Sequence, residues 1–121
     1  MPNERKGKEA EDKAADYLLE KGYTLITRRY RVKGGEIDII ALDGDTLVFA
    51  EVKERLAPGF SPEQAVHEQK VIHMLKAGEK YRQASNDPRP FRFDLIAMDQ
   101  KGIRHYEACF GASLNAKAQK D

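Results

Sequence analysis

The most restrictive feature of the sequence is a pair of apolar segments on either side of Asp43-Gly44-Asp45. An acidic residue followed by glycine, between two segments rich in β-branched residues, is typical of a tight hairpin turn. The segments 36–42 and 46–53 are apolar at both odd and even positions, which predicts two strands buried on both faces. We therefore expect this hairpin at the centre of the sheet of a single domain. Its two apolar faces are predicted to be Ile37, Ile39, Ala41, Val48, Ala50 and Val52 on one side, and Ile40, Leu42, Leu47 and Phe49 on the other.

Four charged residues interrupt the second of these faces, namely Glu36, Asp38, Glu51 and Lys53. Charged side chains are rare in the middle of a sheet. Pairing across a turn centred on Gly44-Asp45 would place Asp38 opposite Glu51, and Glu36 opposite Lys53. Directly opposed residues have Cβ atoms about 4.5 to 5.5 Å apart. Two carboxylates at that separation must share a proton, be neutralised by Lys53, or bind a cation.

A hard divalent cation fits this pair of carboxylates best. Mg²⁺ and Mn²⁺ take oxygen ligands from one or two carboxylates and keep waters that a phosphate can displace. Lys53 follows Glu51 by two residues, so both side chains point to the same face of a strand. Its ammonium could orient or deprotonate an attacking water, or stabilise charge on a phosphate. The set favours phosphodiester hydrolysis, and its structural alternative is an ion pair at the end of the sheet.

The remaining segments predict a mixed α/β layer fold in the order α-β-β-β-α-β-β. Helix-forming residues with apolar spacing of three and four predict a first helix that ends at Gly22. Ser61 and Pro62 are typical of a helix start, which predicts a second helix from there to about Ser85. The other predicted elements are strands at Tyr23–Arg31, Phe91–Met98 and Ile103–Ala108, all within one domain of residues 1–110, followed by a frayed tail at 111–121.

Charge is distributed unevenly, although the formal net charge is only +1. Segment 27–33 has four basic residues and no acid, whereas Lys53 is the only base between residues 36 and 54. Such a basic segment suits contacts with a phosphate backbone, and it equally suits an edge strand protected from aggregation. The chain has a single cysteine, no apolar run of membrane-spanning length and no secretory signal. We therefore expect a soluble cytoplasmic protein without a membrane partner.

Two segments carry a resemblance to a known family: Gly35-Glu36-Ile37-Asp38-Ile39-Ile40-Ala41 and Val48-Phe49-Ala50-Glu51-Val52-Lys53-Glu54-Arg55. They resemble the signature of the YraN-like family of small bacterial proteins. That family belongs to the restriction-endonuclease-like PD-(D/E)xK superfamily and is similar to archaeal Holliday-junction resolvases. The resemblance extends to Gly7, Ala10, Glu11, Ala14 and Tyr17-Leu18, to Gly22-Tyr23 and Arg31, to the segment 61–66 with Lys70, and to Arg92-Phe93-Asp94. The sequence departs from the family at Arg29, where asparagine is usual, and at Ala10 and Ala50.

The resemblance implies a restriction-endonuclease-like core, with a mixed sheet of about five strands flanked by helices. It implies Asp38, Glu51 and Lys53 as the catalytic set, with Asp38 and Glu51 as ligands of Mg²⁺ or Mn²⁺, and Glu11 as a further acidic member. The expected activity is structure-selective cleavage of DNA, including branched DNA, in repair or recombination, by a homodimer. The predicted nucleic-acid contacts are Arg28, Arg29, Arg31, Lys33, Arg55 and Lys70.

Two other functions are compatible with the same residues. The first is a nucleic-acid-binding module of the same fold that does not cut, because a scaffold can keep its binding surface without catalysis. The second is a protein-interaction adaptor. Complexes of such an adaptor would lack the steep salt dependence that phosphate contacts impose.

Overall fold

A computed structural model describes residues 2–55, 59, 66–99 and 101–110, with side chains described from Gly7 onward. Within these residues the elements follow the predicted order of one helix, three strands, one helix and two strands. The predicted tail and most of the loop before the second helix lie outside the described residues. The elements are α1 (Pro2–Glu20), β1 (Thr24–Val32), β2 (Gly35–Asp43), β3 (Thr46–Lys53), α2 (Glu68–Ser85), β4 (Phe91–Asp99) and β5 (Gly102–Phe110).

The five strands form one sheet in the order β1-β2-β3-β4-β5. Strand β3 pairs with β4 in parallel, and the other neighbours are antiparallel. Asp43 faces Thr46 across the β2–β3 turn, and Gly44 takes a positive φ of 60° there, so the predicted two-residue hairpin is confirmed. The prediction of a mixed α/β sheet with flanking helices is confirmed as well.

A hydrophobic core covers each face of the sheet. Helix α1 packs Ala14, Ala15 and Leu18 on one face, and α2 packs Met74 and Ala77 on the other. The predicted division of the hairpin between these faces is confirmed, with Ile39, Ala41, Val48 and Ala50 toward α1, and Ile40, Leu47 and Phe49 toward α2.

Ile37 is the exception to the predicted alternation, because it packs in the α2 core rather than beside Ile39. Its partner in β1 is Tyr30, whose ring also packs in the α2 core. Between this pair and the pair of Arg28 with Ile39, Arg29 has a left-handed φ of 52°. A residue in that conformation interrupts the two-residue repeat of a strand. The change of face in both strands therefore falls at Arg29 and Asp38.

Helix α2 approaches the sheet closely at two glycines. A Cβ on Gly35 would lie 2.2 Å from the carbonyl oxygen of His73, and a Cβ on Gly78 would lie 2.6 Å from the Phe93 ring. Only glycine permits backbone contacts this close. The prediction that α2 starts at Ser61 and Pro62 was wrong in one respect: the described residues Val66 and His67 are not helical, and the helix begins at Glu68. Ser61 and Pro62 themselves lie outside the described residues.

The α1 and α2 helices have charged and polar residues along their length. Within the described part of the chain, neither helix has a long apolar stretch able to cross a bilayer.

Candidate metal centre

The candidate site lies at the end of the β2–β3 pairing that is farther from the hairpin turn. That pairing runs from Asp43 and Thr46 to Ile39 and Ala50, and one further step would place Asp38 opposite Glu51. Asp38 Oδ2 accepts a hydrogen bond from the backbone N–H of Val52 at 2.8 Å. The side chain of Asp38 is thereby held against β3, next to Glu51.

Glu51 is the least solvated carboxylate of the hairpin, with 8% of its surface exposed. Burial raises the pKa of Glu51 to about 9, and the negative charge of Asp38 adds to the increase. Its Oε1 atom is buried and has no hydrogen-bond partner among the described residues. A side-chain hydrogen bond between Glu51 and Asp38 also raises this pKa, which indicates that the two carboxyl groups share a proton in the metal-free protein. Burial of the Oε1 atom without a partner still costs stability, because the atom has lost its water.

These features fit a divalent cation held by Asp38 and Glu51. The cation would displace the proton that the raised pKa leaves on Glu51, give the unpartnered Oε1 a ligand bond, and neutralise the negative charge of both carboxylates. Within the described residues, no cluster brings together three or more histidine, cysteine, aspartate or glutamate side chains suited to a metal. The candidate is therefore a two-carboxylate site whose remaining ligands would be water and substrate, as Mg²⁺ commonly accepts.

Lys53 follows Glu51 by two residues in β3 and is half-buried. Strand periodicity places it on the same face as Glu51. The lysine that forms an ion pair with Glu51, among the described residues, is instead Lys70 of α2. Its Nζ lies 3.9 Å from Glu51 Oε2 and 3.3 Å from Glu36 Oε1.

The predicted register placed Glu36 opposite Lys53, but the ion-pair partners of Glu36 among the described residues are different ones. It forms ion pairs with Arg31 at 3.1 Å and Lys70 at 3.3 Å, and no described contact joins it to Lys53. Burial lowers the pKa of Lys70, but the surrounding carboxylates of Glu51, Asp38 and Glu36 raise it above the ordinary value for lysine. Lys70 therefore remains a cation at neutral pH.

A second ionic cluster lies on the α1 side of the sheet. Glu11 is 6% exposed, and its carboxylate accepts hydrogen bonds from Arg28 Nε at 3.2 Å and Arg29 Nε at 3.1 Å. Arg28 also reaches Asp12 at 2.6 Å. Arg29 lies opposite Asp38 in the sheet, between the pairs that flank both residues. Glu11 thus neighbours the site through Arg29, and its role as a further acidic member stays a prediction.

Several of the predicted nucleic-acid contacts lie at the same end of the sheet as Asp38 and Glu51. Strand β1 ends there, and Arg31 is its second-last residue. Lys33 and Arg55 are exposed. A cleft of about 330 Å³ opens beside Glu36 and is lined by Arg31, Val32, Gly35, Glu36, Lys70 and His73. A second, of about 320 Å³, lies on the α1 side, where Lys13 and Arg55 line it together with the acidic residues Glu9, Glu54 and Asp99. Positive side chains are thus present on both sides of the candidate site.

Sequence reasoning assigned no role to Asp94, which is fully buried. Its carboxylate accepts hydrogen bonds from Arg92 Nε at 3.1 Å, from the Ala108 amide at 2.9 Å and from His105 Nε2 at 2.7 Å. It occupies the irregularity at which the β4–β5 register shifts. Arg92-Phe93-Asp94 carries part of the family resemblance, and the aspartate at the centre of an apolar strand is the sequence signal of a buried polar cluster.

Comparison with known proteins identifies the family. Residues 10–98 match the model of the uncharacterised protein family UPF0102. This chain belongs to the UPF0102 family. The resemblance to YraN-like proteins is thereby confirmed.

This chain aligns with nearly the whole length of several UPF0102 relatives. A UPF0102 protein of Thermodesulfovibrio yellowstonii is 44% identical over 105 residues, which are 86% of this chain and 94% of the relative. One from Pseudothermotoga lettingae is 43% identical, over 83% of this chain and 94% of its own length. Another, from Sulfurihydrogenibium sp., is 38% identical over 91% of this chain and 97% of its own. These names state family membership and no activity.

Proposed function

We propose that this UPF0102 protein is a divalent-metal-dependent endonuclease that cleaves DNA at particular structures rather than at particular sequences. The observation that carries the proposal is the close approach of the Asp38 and Glu51 carboxyl groups, together with the buried, unpartnered Oε1 of Glu51. A chain that keeps two carboxylates together in a poorly solvated place loses stability by doing so, unless a ligand uses them.

In this proposal Asp38 and Glu51 hold Mg²⁺ or Mn²⁺, and the Val52 amide keeps Asp38 oriented. The bound cation would supply positive charge that polarises the scissile phosphodiester. Lys53, on the same strand face as Glu51, would orient the attacking water or stabilise the charge that develops on the phosphate. The low exposure of Glu51 limits competing water and strengthens these electrostatic interactions.

The proposed substrate is recognised by its backbone. Arg31, Lys33 and Arg55 offer charge without the rigid arrangement of polar groups that base reading requires. Phosphate contacts position a protein and carry no sequence information themselves, which favours selection by shape, as at a branched junction. Symmetrical cleavage of such a junction needs two sites, so a homodimer is part of the proposal. Sedimentation analysis with and without junction DNA tests that part.

The deciding experiment is cleavage of labelled four-way, flapped, nicked and linear DNAs with Mg²⁺ or Mn²⁺. Glu51→Gln removes the ligand charge with little change of shape and should abolish cutting. Glu79→Gln makes the same chemical change at an exposed position of α2 and should leave cutting unchanged.

Three other outcomes would each reject the nuclease proposal. Cleavage that Glu51→Gln retains would mean that another site or a contaminant cuts. Salt-sensitive DNA binding without cleavage in any metal would support the non-catalytic binding module. Absence of DNA binding would leave the protein-interaction adaptor.

A further inference from the structure

Lys70 approaches the candidate metal centre from a different element than the residues already assigned to it. Strands β2 and β3 provide Asp38, Glu51 and Lys53, whereas Lys70 is on the first turn of α2. Its Nζ contacts Glu51 Oε2 at 3.9 Å and Glu36 Oε1 at 3.3 Å, and its side chain is 33% exposed. The ammonium therefore lies between the buried carboxylate and solvent.

The position of Lys70 is set by backbone contact. Gly35 lies so close to the His73 carbonyl that no Cβ could fit between them, and His73 is one turn after Lys70 in α2. Glu36, the residue after Gly35, is the one that Lys70 binds most closely. The start of β2 and the first turn of α2 are thus joined where the lysine reaches the site.

The same lysine lines the cleft of about 330 Å³ that opens beside the site. Arg31 provides a second cation in this cleft, and His73 and the Gln69 side chain bonded to it lie along α2. A long lysine side chain can turn its ammonium between nearby anions at little cost, because it is a flexible point charge. In one orientation the Lys70 ammonium faces the carboxylates, and in the other it would face the cleft.

We propose that Lys70 is an exchangeable counter-ion: in the metal-free protein it balances the negative charge of the cluster of Glu36, Asp38 and Glu51, and a divalent cation displaces it into the Arg31–His73 cleft, where it binds a backbone phosphate of the substrate. The inference rests on the proposed function, since it assumes that Asp38 and Glu51 hold a cation. It adds a phosphate subsite and couples metal binding to substrate binding. Electrostatic repulsion between the ammonium and a divalent cation at one carboxylate favours the exchange.

This exchange predicts effects of opposite sign from one substitution. Lys70→Gln removes a cation that competes with the metal, so the Kd for Mn²⁺, measured by calorimetry, should fall about 5-fold. The same substitution removes a phosphate contact once the metal is bound. The Kd for a labelled four-way junction should therefore rise about 5-fold in Ca²⁺, with a salt dependence shallower by about one counterion. In EDTA, where Lys70 is held by Glu51 and Glu36, the junction Kd should change less than about 2-fold.

Lys76→Gln is the matched control, because it makes the same change at an exposed position of the same helix. It should alter neither the affinity for Mn²⁺ nor the difference between Ca²⁺ and EDTA. Lys70→Arg, which keeps the charge, should restore the salt dependence. Thermal melting of each variant in EDTA shows whether it is folded.

A purely structural ion pair predicts the opposite pattern. If Lys70→Gln leaves the Mn²⁺ affinity unchanged or weakens it, or lowers DNA affinity equally in EDTA and Ca²⁺, the exchange does not occur. If the wild-type chain binds no Mn²⁺, the proposed function and this inference both fail. Wild-type binding of Mn²⁺ and junction DNA with no response to Lys70→Gln would overturn this inference alone.

Discussion

The Lys70 ammonium lies 3.9 Å from Glu51 Oε2, across the junction between α2 and β3. Glu51 is on β3 and Lys70 is on the helix that connects β3 with its parallel neighbour β4, so their contact depends on how α2 docks on the sheet. Docking in turn depends on the close approach of Gly35 to His73. The candidate site is therefore sensitive to substitutions that do not touch a metal ligand.

Glu51→Gln should stabilise the metal-free protein. The folded-state pKa of about 9 is above the ordinary value of 4.5, so the folded protein binds more protons than the unfolded chain between these values. Stability contributed by protonated Glu51 is accordingly complete below about pH 4.5 and is lost as pH rises toward 9. At pH 8 in EDTA we expect a gain of about 1 to 3 kcal/mol in the free energy of unfolding, measured with urea.

The pH dependence separates this effect from simple repacking. The advantage of Glu51→Gln should grow from pH 5 to pH 8 and vanish below about pH 4.5. With Mn²⁺ added, the wild type should gain stability and the variant should not. A Glu51→Gln protein that is less stable than the wild type at pH 8 in EDTA would show that Glu51 is ionised and stabilised by Lys70.

Gly35→Ala should destabilise the fold and weaken metal binding together. The new Cβ would lie 2.2 Å from the His73 carbonyl oxygen, so α2 or β2 must move. We expect a loss of about 2 to 4 kcal/mol in urea unfolding. Gly7→Ala is the control: nothing lies within 4 Å of its Cβ position, and alanine in a helix should stabilise by up to about 1 kcal/mol. Equal stability of Gly35→Ala and the wild type would mean that the helix docks less closely than described.

Arg29→Asn tests the left-handed residue opposite Asp38. Arg29 has a φ of 52°, a conformation that asparagine adopts more readily than other residues with a Cβ. Both Arg29→Asn and Arg29→Ala lose the ion pair with Glu11. The difference between their free energies of unfolding therefore measures how well each residue accepts the left-handed backbone. We expect the asparagine variant to be more stable by about 0.5 to 1 kcal/mol in thermal unfolding. Equal stabilities would contradict a left-handed backbone at this position.

Asp94→Asn should be the most destabilising of these substitutions. Asp94 is fully buried, and the amide would present N–H groups to the donors of Arg92 and His105. Removing the charge leaves Arg92 without its buried partner, which should cost about 3 to 5 kcal/mol in urea unfolding. Asp16→Asn, at an exposed position of α1, should change stability far less.

The pH dependence of Asp94 has the opposite sign to that of Glu51. Burial raises the pKa of Asp94, but hydrogen bonds from His105, the Ala108 amide and Arg92 outweigh it, and the net pKa is lowered. Its stabilisation is thus present above the ordinary aspartate pKa and is lost as pH falls through the folded value. The Asp94→Asn variant should accordingly be less sensitive to acid than the wild type.

Sequence periodicity predicted the part of the site that lies within one hairpin. The Asp43-Gly44-Asp45 turn determines the register, and that register, continued one step past Ile39 and Ala50, brings Asp38 beside Glu51. Periodicity failed at Ile37, because the left-handed backbone of Arg29 changes the face of both paired strands, and Arg29 carries no local signal for that conformation.

Sequence periodicity does not predict contacts between segments that are far apart in the chain. The pairing of Lys70 with Glu51 requires the docking of α2, and the pairing of Asp94 with His105 requires the irregular register of β4 with β5. Gly35 entered the sequence analysis only as part of the segment that carries the family resemblance, although its missing Cβ is what admits α2. Steric requirements of this kind become visible only when two elements are placed together.

The bond between Asp38 and the Val52 amide provides an internal spectroscopic probe. A carboxylate that accepts this N–H is also the predicted ligand, so a cation bound at Asp38 withdraws electron density from the acceptor. The Val52 amide resonance in a ¹H–¹⁵N spectrum should therefore shift on titration with Mg²⁺, because the Val52 N–H is hydrogen-bonded to the carboxylate that would bind the cation. Occupancy can then be followed in the unmodified chain, without nucleic acid and without turnover.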